Sequence, residues 1–161
     1  MKKLLFVLGA TAAMLLPVAT AGASSGNDVA KGHGTTFFGD PFAFSATANF
    51  NDTGARGSVR LDTAVGAIEE TIYGDVTCLR VAGGLASIAG FITDISPPNA
   101  AIAHFKSFVV QTSDSGKFGS SPDTVVYSFF DSPPPPDGAC PTPSAGLFIS
   151  SGDVVVQDAI S

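Results

Sequence analysis

The chain is poor in the residues on which most enzymes and nucleic-acid-binding proteins depend. Its 161 residues contain no Trp, 2 His and 2 Cys, and 8 Lys or Arg stand against 14 Asp or Glu, for a formal net charge of −6. A protein that binds nucleic acid through phosphate contacts needs a basic surface, so this composition excludes that class. The same acidic balance repels anionic lipids and favours cations or neutral partners.

Recognised catalytic signatures are also missing. The sequence contains neither the G-x-S-x-G of serine hydrolases nor the H-E-x-x-H of zinc proteases. His33 and His104 stand apart from other candidate ligands or bases. The adjacent Glu69 and Glu70 would point to opposite faces of a strand, where they cannot flank one bond as a glycosidase pair does. We expect surface roles for all four residues, and we predict no cofactor.

The first residues have the layout of a secretory signal peptide. Lys2 and Lys3 precede an apolar stretch over residues 4–21, and Ala21-Gly22-Ala23 fits the small-residue cleavage rule. A retained transmembrane anchor is the alternative, because the stretch is about as long as a bilayer is thick. The small residues at its end favour cleavage. We therefore predict removal of residues 1–23, export to the medium or the cell envelope, and no stable membrane insertion afterwards.

The two cysteines predict one disulfide bond. Cys78 lies in strand-like sequence, and Cys140 lies in the Pro-rich segment 132–143, which is typical of a loop. Both fall in the part predicted to be exported, where oxidising conditions favour a bridge, and two cysteines allow one connectivity. A reactive thiol or a metal pair is the alternative, but no cluster of His or Cys surrounds either residue.

Alternation with a period of two dominates the remaining sequence. Apolar residues alternate with polar ones over residues 42–50 and again over residues 55–62, which is typical of half-buried strands. The turn residues Asn51-Asp52-Thr53-Gly54 separate the two runs, so we predict a hairpin. Residues 64–72 are ambiguous, because their apolar residues also suit a helical face; we predict a strand for the second half of this stretch and leave the first half open.

Segments rich in Gly, Pro, Ser and Asp separate the further strand candidates. These candidates are residues 68–81, 86–95, 105–112, 124–130, 146–150 and 154–158. Repeated short strands predict an all-β fold, either a single antiparallel β-barrel or a β-sandwich of about seven or eight strands. We place this domain at residues 37–161. Residues 24–34 carry no periodic pattern, and we predict a loose N-terminal arm over residues 24–36.

Three strands begin with a Gly and a small polar residue before Val: Gly57-Ser58-Val59, Gly74-Asp75-Val76 and Gly152-Asp153-Val154. A bend or bulge at each Gly is the physical interpretation, because it lets a long strand curl in a barrel.

One stretch resembles a recurring segment of uncharacterised secreted bacterial proteins. It runs from Gly74 to Val81 (GDVTCLRV) and continues over residues 83–90. The similarity extends through residues 109–116 and 123–130, a late Cys and residues 152–156, and so covers most of the chain after the leader. Relatives often carry Asn at the position of Gly84. The resemblance implies a compact exported β domain with one disulfide, and it brings no established activity.

The loop between two late strands is a candidate calcium site. Asp114 and Asp123 frame it, and Ca²⁺ prefers six to eight oxygen ligands. The spacing does not match an EF-hand, and Lys117 would oppose a cation. The alternative is an Asx turn in an ordinary connection between strands.

Two functions remain open from the sequence. The first is an exported, non-catalytic binding or structural module. Its partner would be a cell-surface component, or a small apolar ligand held inside a barrel lined by some of the 13 Phe; core packing without a cavity is the other interpretation of these Phe. The second function is a secreted enzyme whose site is built from scattered Asp and Ser residues.

Overall fold

The computed structural model describes residues 26–49, 51–65, 68–116 and 122–159, and the predicted signal peptide lies outside them. The fold is all-β and forms a closed antiparallel barrel, so of the two predicted architectures the barrel is confirmed. In the part of the chain described, no helix has the length and apolar character needed to cross a bilayer. The strands are β1 (Asp28–Thr36), β2 (Pro41–Ala48), β3 (Arg56–Val65), β4 (Ile68–Ala82), β5 (Leu85–Ser96), β6 (Ser107–Ser113), β7 (Thr124–Phe130) and β8 (Leu147–Gln157).

Large apolar side chains fill the barrel interior. Leu61, Ile88 and Phe108 are each 0% exposed and belong to one contiguous core. All three side chains pack against the other buried residues of this cluster, so the space around them is filled. Each contributes roughly 2 kcal/mol through burial. For this part of the interior, core packing therefore describes the Phe residues better than a ligand cavity does.

The predicted N-terminal arm is corrected by the structure. Residues Asp28–Thr36 form β1, which pairs with β2 on one edge and with β8 on the other. The pattern is missing from the sequence because the inward positions carry small residues such as Ala30 and Gly32. A β-carbon at Gly32 would lie 2.7 Å from Cε1 of Phe44, so the Phe44 ring already occupies that space. The partner strand supplies the apolar surface that β1 lacks.

Two predicted C-terminal strands are one strand. The sequence pattern separates residues 146–150 from residues 154–158 at a Gly, but β8 is continuous and includes this Gly. Gly152 has φ +112 and pairs with Gly34 on β1. The two backbones approach so closely that a β-carbon at Gly152 would lie 2.9 Å from the carbonyl carbon of His33. Glycine therefore bends this strand without ending it, as the Gly-led pattern suggested.

A β-bulge turns Cys78 to the outside of the barrel. Val76 pairs with Gly90, and Cys78 pairs with Ala89, so Thr77 is the extra residue in β4. Without this shift, Cys78 would follow Val76 into the interior, because alternate residues of a strand share one face. With it, Cys78 packs against Ala89 on the outer face and bonds to Cys140. The predicted disulfide is confirmed.

The disulfide holds a long connection against the outer face. We call residues 131–146 the strap; it leaves β7 and reaches β8 after crossing β6, β5 and β4. The Ser107 hydroxyl donates to the Ser132 carbonyl at 2.8 Å. The Asp137 carboxylate accepts from the Gly54 amide at 2.7 Å. The Ser144 amide donates to the Gln111 side chain at 2.8 Å. Beneath the strap, Ser87, Ala89 and Ser107 are buried although they face outward.

Replacing both cysteines by alanine is expected to lower the free energy of unfolding by up to about 4 kcal/mol. The bridge closes a loop whose ends are 62 residues apart, and opening it restores that entropy to the unfolded chain. Urea unfolding of wild type and of the Cys78→Ala, Cys140→Ala double variant measures the difference. Wild-type protein with a reductant serves as control and should match the variant. Equal unfolding free energies would contradict a structural role for the bond.

Candidate functional site

A groove lies on the outer face of strands β2 to β5 and has a volume of about 420 Å³. We call it the outer groove; its lining is Ala43, Phe44, Ser58, Val59, Arg60, Tyr73, Gly74, Asp75 and Thr93. The cross-strand pairs Arg60–Tyr73 and Ser58–Asp75 form two neighbouring rows across it. Directly opposite residues of this kind have β-carbons about 5 Å apart. The short side chains of Ala43 and Ser58 leave the depression between the longer side chains.

A second β-bulge shapes the groove. Tyr73 pairs with Asp94 and Gly74 pairs with Ile92, so Thr93 is the extra residue in β5. Thr93 and Asp94 are consequently both exposed, although they are consecutive in the strand. A bulge of this kind re-aims a side chain, and such bulges are common beside binding sites. The register shift places the Thr93 hydroxyl at the groove.

Arg60 is held at the edge of the groove by Asp62. The guanidinium Nη2 lies 3.1 Å from Asp62 Oδ2. The Asp62 backbone is fixed in turn, because its carbonyl accepts the Tyr127 hydroxyl at 2.7 Å. Burial, reinforced by the charges of Asp40 and Asp62, raises the pKa of Tyr127, so its hydroxyl stays protonated and can donate this bond. One nitrogen of Arg60 is thus engaged, and the exposed side chain lines the groove.

Other polar side chains of the groove are free to meet a ligand. Among the residues that the structure describes, the Tyr73 hydroxyl and the Asp75 carboxylate make no hydrogen bond, and both residues are exposed. Several carboxylates elsewhere accept hydrogen bonds from the fold. The outer groove therefore presents an aromatic ring, a carboxylate and a guanidinium to solvent on one rigid sheet face.

The predicted calcium residues lie at the seam where the barrel closes. β7 and β8 share two residue pairs, Thr124–Phe148 and Val125–Leu147. Beyond these, Asp123 Oδ2 accepts from the Val154 amide at 2.8 Å, and Asp114 Oδ2 accepts from the Val156 amide at 3.1 Å. The two carboxylates thus satisfy amides of β8 that no neighbouring strand reaches.

The remaining oxygens of the same carboxylates fold the loop. Asp123 Oδ1 accepts from the amide and the hydroxyl of Ser115, each at 3.0 Å, and Asp114 Oδ1 accepts from the Gly116 amide at 2.7 Å. This is the Asx-type turn of the alternative interpretation. Lys117 lies outside the described residues. Within them, no group of three or more His, Cys, Asp or Glu side chains is placed to hold a metal ion. Calcium binding stays a prediction, and a calcium-dependent rise in melting temperature that Asp114→Ala abolishes would support it.

The other titratable residues named from the sequence lie apart from one another. His33 is exposed on β1, and the His104 ring lies 4.2 Å from the Phe105 ring in the β5–β6 connection. Glu69 and Glu70 point to opposite faces, as predicted. The expectation that both are surface groups is wrong for Glu70, which is 1% exposed and accepts a hydrogen bond from the Asn99 side chain.

Sequence reasoning missed the outer groove. Arg60 falls on the polar side of the alternation over residues 55–62, where charged residues are ordinary, and Asp75 enters only as the small polar residue of the Gly74-Asp75-Val76 pattern. Alternation alone indicated which face they occupy. The sequence does not predict the bulge at Thr93 or the pairing that brings Tyr73 beside Arg60. Both depend on the register between neighbouring strands, which the pattern within one strand does not specify.

Asp28 is a buried carboxylate that links the two ends of the domain. Its Oδ1 accepts from the Ala159 amide at 2.8 Å, and the residue is 2% exposed. Burial raises the pKa of Asp28; the hydrogen bond from Ala159 opposes this change, and the charges of Asp52 and Asp158 add to it. The folded state therefore favours the protonated form.

Asp123→Asn is expected to destabilise the domain by roughly 2–3 kcal/mol, because the new NH₂ group would face a backbone donor that Asp123 now accepts. Chemical denaturation measures the change. Asp153→Asn is the matched control, since Asp153 lies on β8 beside Val154 and is exposed. Equal losses in the two variants would refute the role of Asp123 in closing the barrel.

Asp28→Asn is expected to stabilise the domain at pH 7 and to have little effect near pH 4. Protonated Asp28 contributes to the free energy of unfolding. This contribution is fully present below the ordinary pKa of 3.8 and is lost as the pH rises through the raised pKa of the folded state. Asparagine keeps an oxygen for the Ala159 amide and removes the charge. Urea unfolding of variant and wild type at both pH values gives the difference. A difference independent of pH would contradict this account.

Comparisons with known proteins give no match for this chain, whether with models of protein families, with curated proteins or with solved structures. The geometry of the described residues is therefore the basis for any functional assignment.

Proposed function

We propose that the chain is an exported, non-catalytic binding module that uses the outside of a rigid barrel for recognition. The single observation that carries this proposal is the state of its polar groups. Carboxylates that could have formed a reaction centre serve as ties within the fold, as Asp114 and Asp123 do at the seam. Exposed groups of mixed chemistry gather in the outer groove instead.

The packed interior supports an external surface for binding. Ile88 and Phe108 are fully buried and belong to the apolar cluster inside the barrel. Backbone hydrogen bonds around the barrel hold the outer face rigid, which lowers the conformational cost of binding there. Of the two partners considered from the sequence, a cell-surface component therefore fits this structure better than a small apolar ligand held inside.

Export is part of the same proposal. The disulfide between Cys78 and Cys140 suits an oxidising compartment. Residues 1–23 have the charge, apolar length and small-residue exit of a signal peptide. Together they support action outside the cell or in its envelope.

Native mass spectrometry of protein purified from its own culture medium tests the proposal. We expect a mass that corresponds to a chain starting near Ser24, lighter by two hydrogens for the disulfide, and carrying or capturing a ligand that it leaves chemically unchanged. An intact N-terminus in cell membranes would contradict export. Conversion of a retained ligand into product, abolished by substitution of an Asp or Ser residue, would instead establish the enzyme alternative.

A further inference from the structure

We propose that the outer groove binds a neutral carbohydrate, with the Tyr73 ring as the surface on which a sugar ring stacks. This inference rests on the proposed binding function and assigns it a site and a ligand class. It is carried by the kinds of side chain that converge in the groove, by the absence of internal partners for Tyr73 and Asp75, and by the bulge that brings Thr93 to the same place.

The aromatic residue supplies the apolar contact. Tyr73 is 39% exposed on the outer face of β4, so its ring is accessible to a ligand. An aromatic side chain with a polar tip suits ligands that are apolar on one side and wet on the other. Sugar rings have this character, because their axial C–H groups form apolar faces and their hydroxyls project from the rim.

The polar residues fit hydroxyl groups. The Arg60 guanidinium offers donors in a planar fork, and the Asp75 carboxylate offers acceptors. Asp75 pairs across the strands with Ser58, whose hydroxyl can act in both ways, as can that of Thr93. Vicinal hydroxyls of a sugar both donate and accept, so they match this mixture. A site built to bond hydroxyls discriminates strongly against analogues that lack them.

The charges disfavour an anionic ligand. Arg60 and Asp75 carry opposite charges on the two rows of the groove, and Arg60 is already paired with the Asp62 carboxylate, so no unpaired positive charge is left for an anion. An anion would meet Asp75 and the net charge of −6 on the chain. A cation would meet the Arg60 guanidinium. Hydrogen bonds between a neutral ligand and charged side chains stay favourable in both directions.

The size and openness of the groove fit part of a longer glycan. A volume of about 420 Å³ lies in the lower range of small-ligand sites. Among the described residues, Tyr73, Asp75 and Thr93 of the lining are exposed, so the groove is open to solvent and a longer glycan has room to extend beyond it.

The test is a carbohydrate array of neutral and acidic oligosaccharides, followed by isothermal titration with the neutral oligosaccharide that binds best. We expect binding to at least one neutral glycan, weakened 10-fold or more by Tyr73→Ala and at least 5-fold by Asp75→Ala. Tyr73→Phe should retain most of the affinity, because the stacking surface remains. The matched control is Phe38→Ala, which removes an aromatic side chain that is 72% exposed in the β1–β2 turn; it should leave the affinity unchanged.

Each other outcome has a defined meaning. No binding on the array, binding to acidic glycans alone, or equal affinity of wild type and Tyr73→Ala would overturn the carbohydrate site. A peptide or apolar compound found by native mass spectrometry in its place would leave the binding function standing and remove this ligand class. Cleavage of the bound glycan would overturn the non-catalytic function. Melting curves within a few degrees of wild type confirm that each variant is folded.

Discussion

The structure depends on closing an eight-stranded sheet whose last seam is short. β7 and β8 share two residue pairs, whereas β6 and β7 pair along all of β7. The amides of Val154 and Val156 lie beyond those pairs, and an amide without a partner is costly wherever water is excluded. The carboxylates of Asp114 and Asp123 accept hydrogen bonds from the amides of Val156 and Val154, respectively. The two carboxylates that looked like metal ligands in the sequence are therefore substitutes for a missing stretch of strand pairing.

The strap covers part of the outer face of the barrel. Because the bulge at Thr77 turns Cys78 outward, the disulfide can fasten residues 131–146 over β4 to β6 and bury Ala89 on a face that would otherwise meet water. Covering one part of the outer face leaves another part open. The outer groove lies in that open part, next to the bulge at Thr93. Two irregularities of the β4–β5 pair thus divide the outer face into a covered structural region and an exposed region suited to recognition.

Local patterns predicted a strand correctly where its own residues alternate between apolar and polar. The alternation over residues 42–50 and 55–62 and the turn between them predicted the β2–β3 hairpin that the structure contains. They failed for β1, because Gly32 has no side chain and receives its apolar cover from Phe44 on the next strand. They also split β8 at Gly152, which bends the strand because it lies against Gly34. In both cases the missing information belongs to a partner strand, not to the segment itself.

The sequence by itself determined the all-β class, the approximate positions of most strands and the disulfide, because strand periodicity and the presence of two cysteines are properties of the chain alone. Tertiary structure decided that the sheet closes into a barrel, that Glu70 is buried and that Asp123 serves β8. It also decided that Arg60, Tyr73 and Asp75 share one groove. These outcomes depend on register and bulges, where a shift of one residue moves a side chain to the opposite face, and no residue pattern within a single strand encodes that choice.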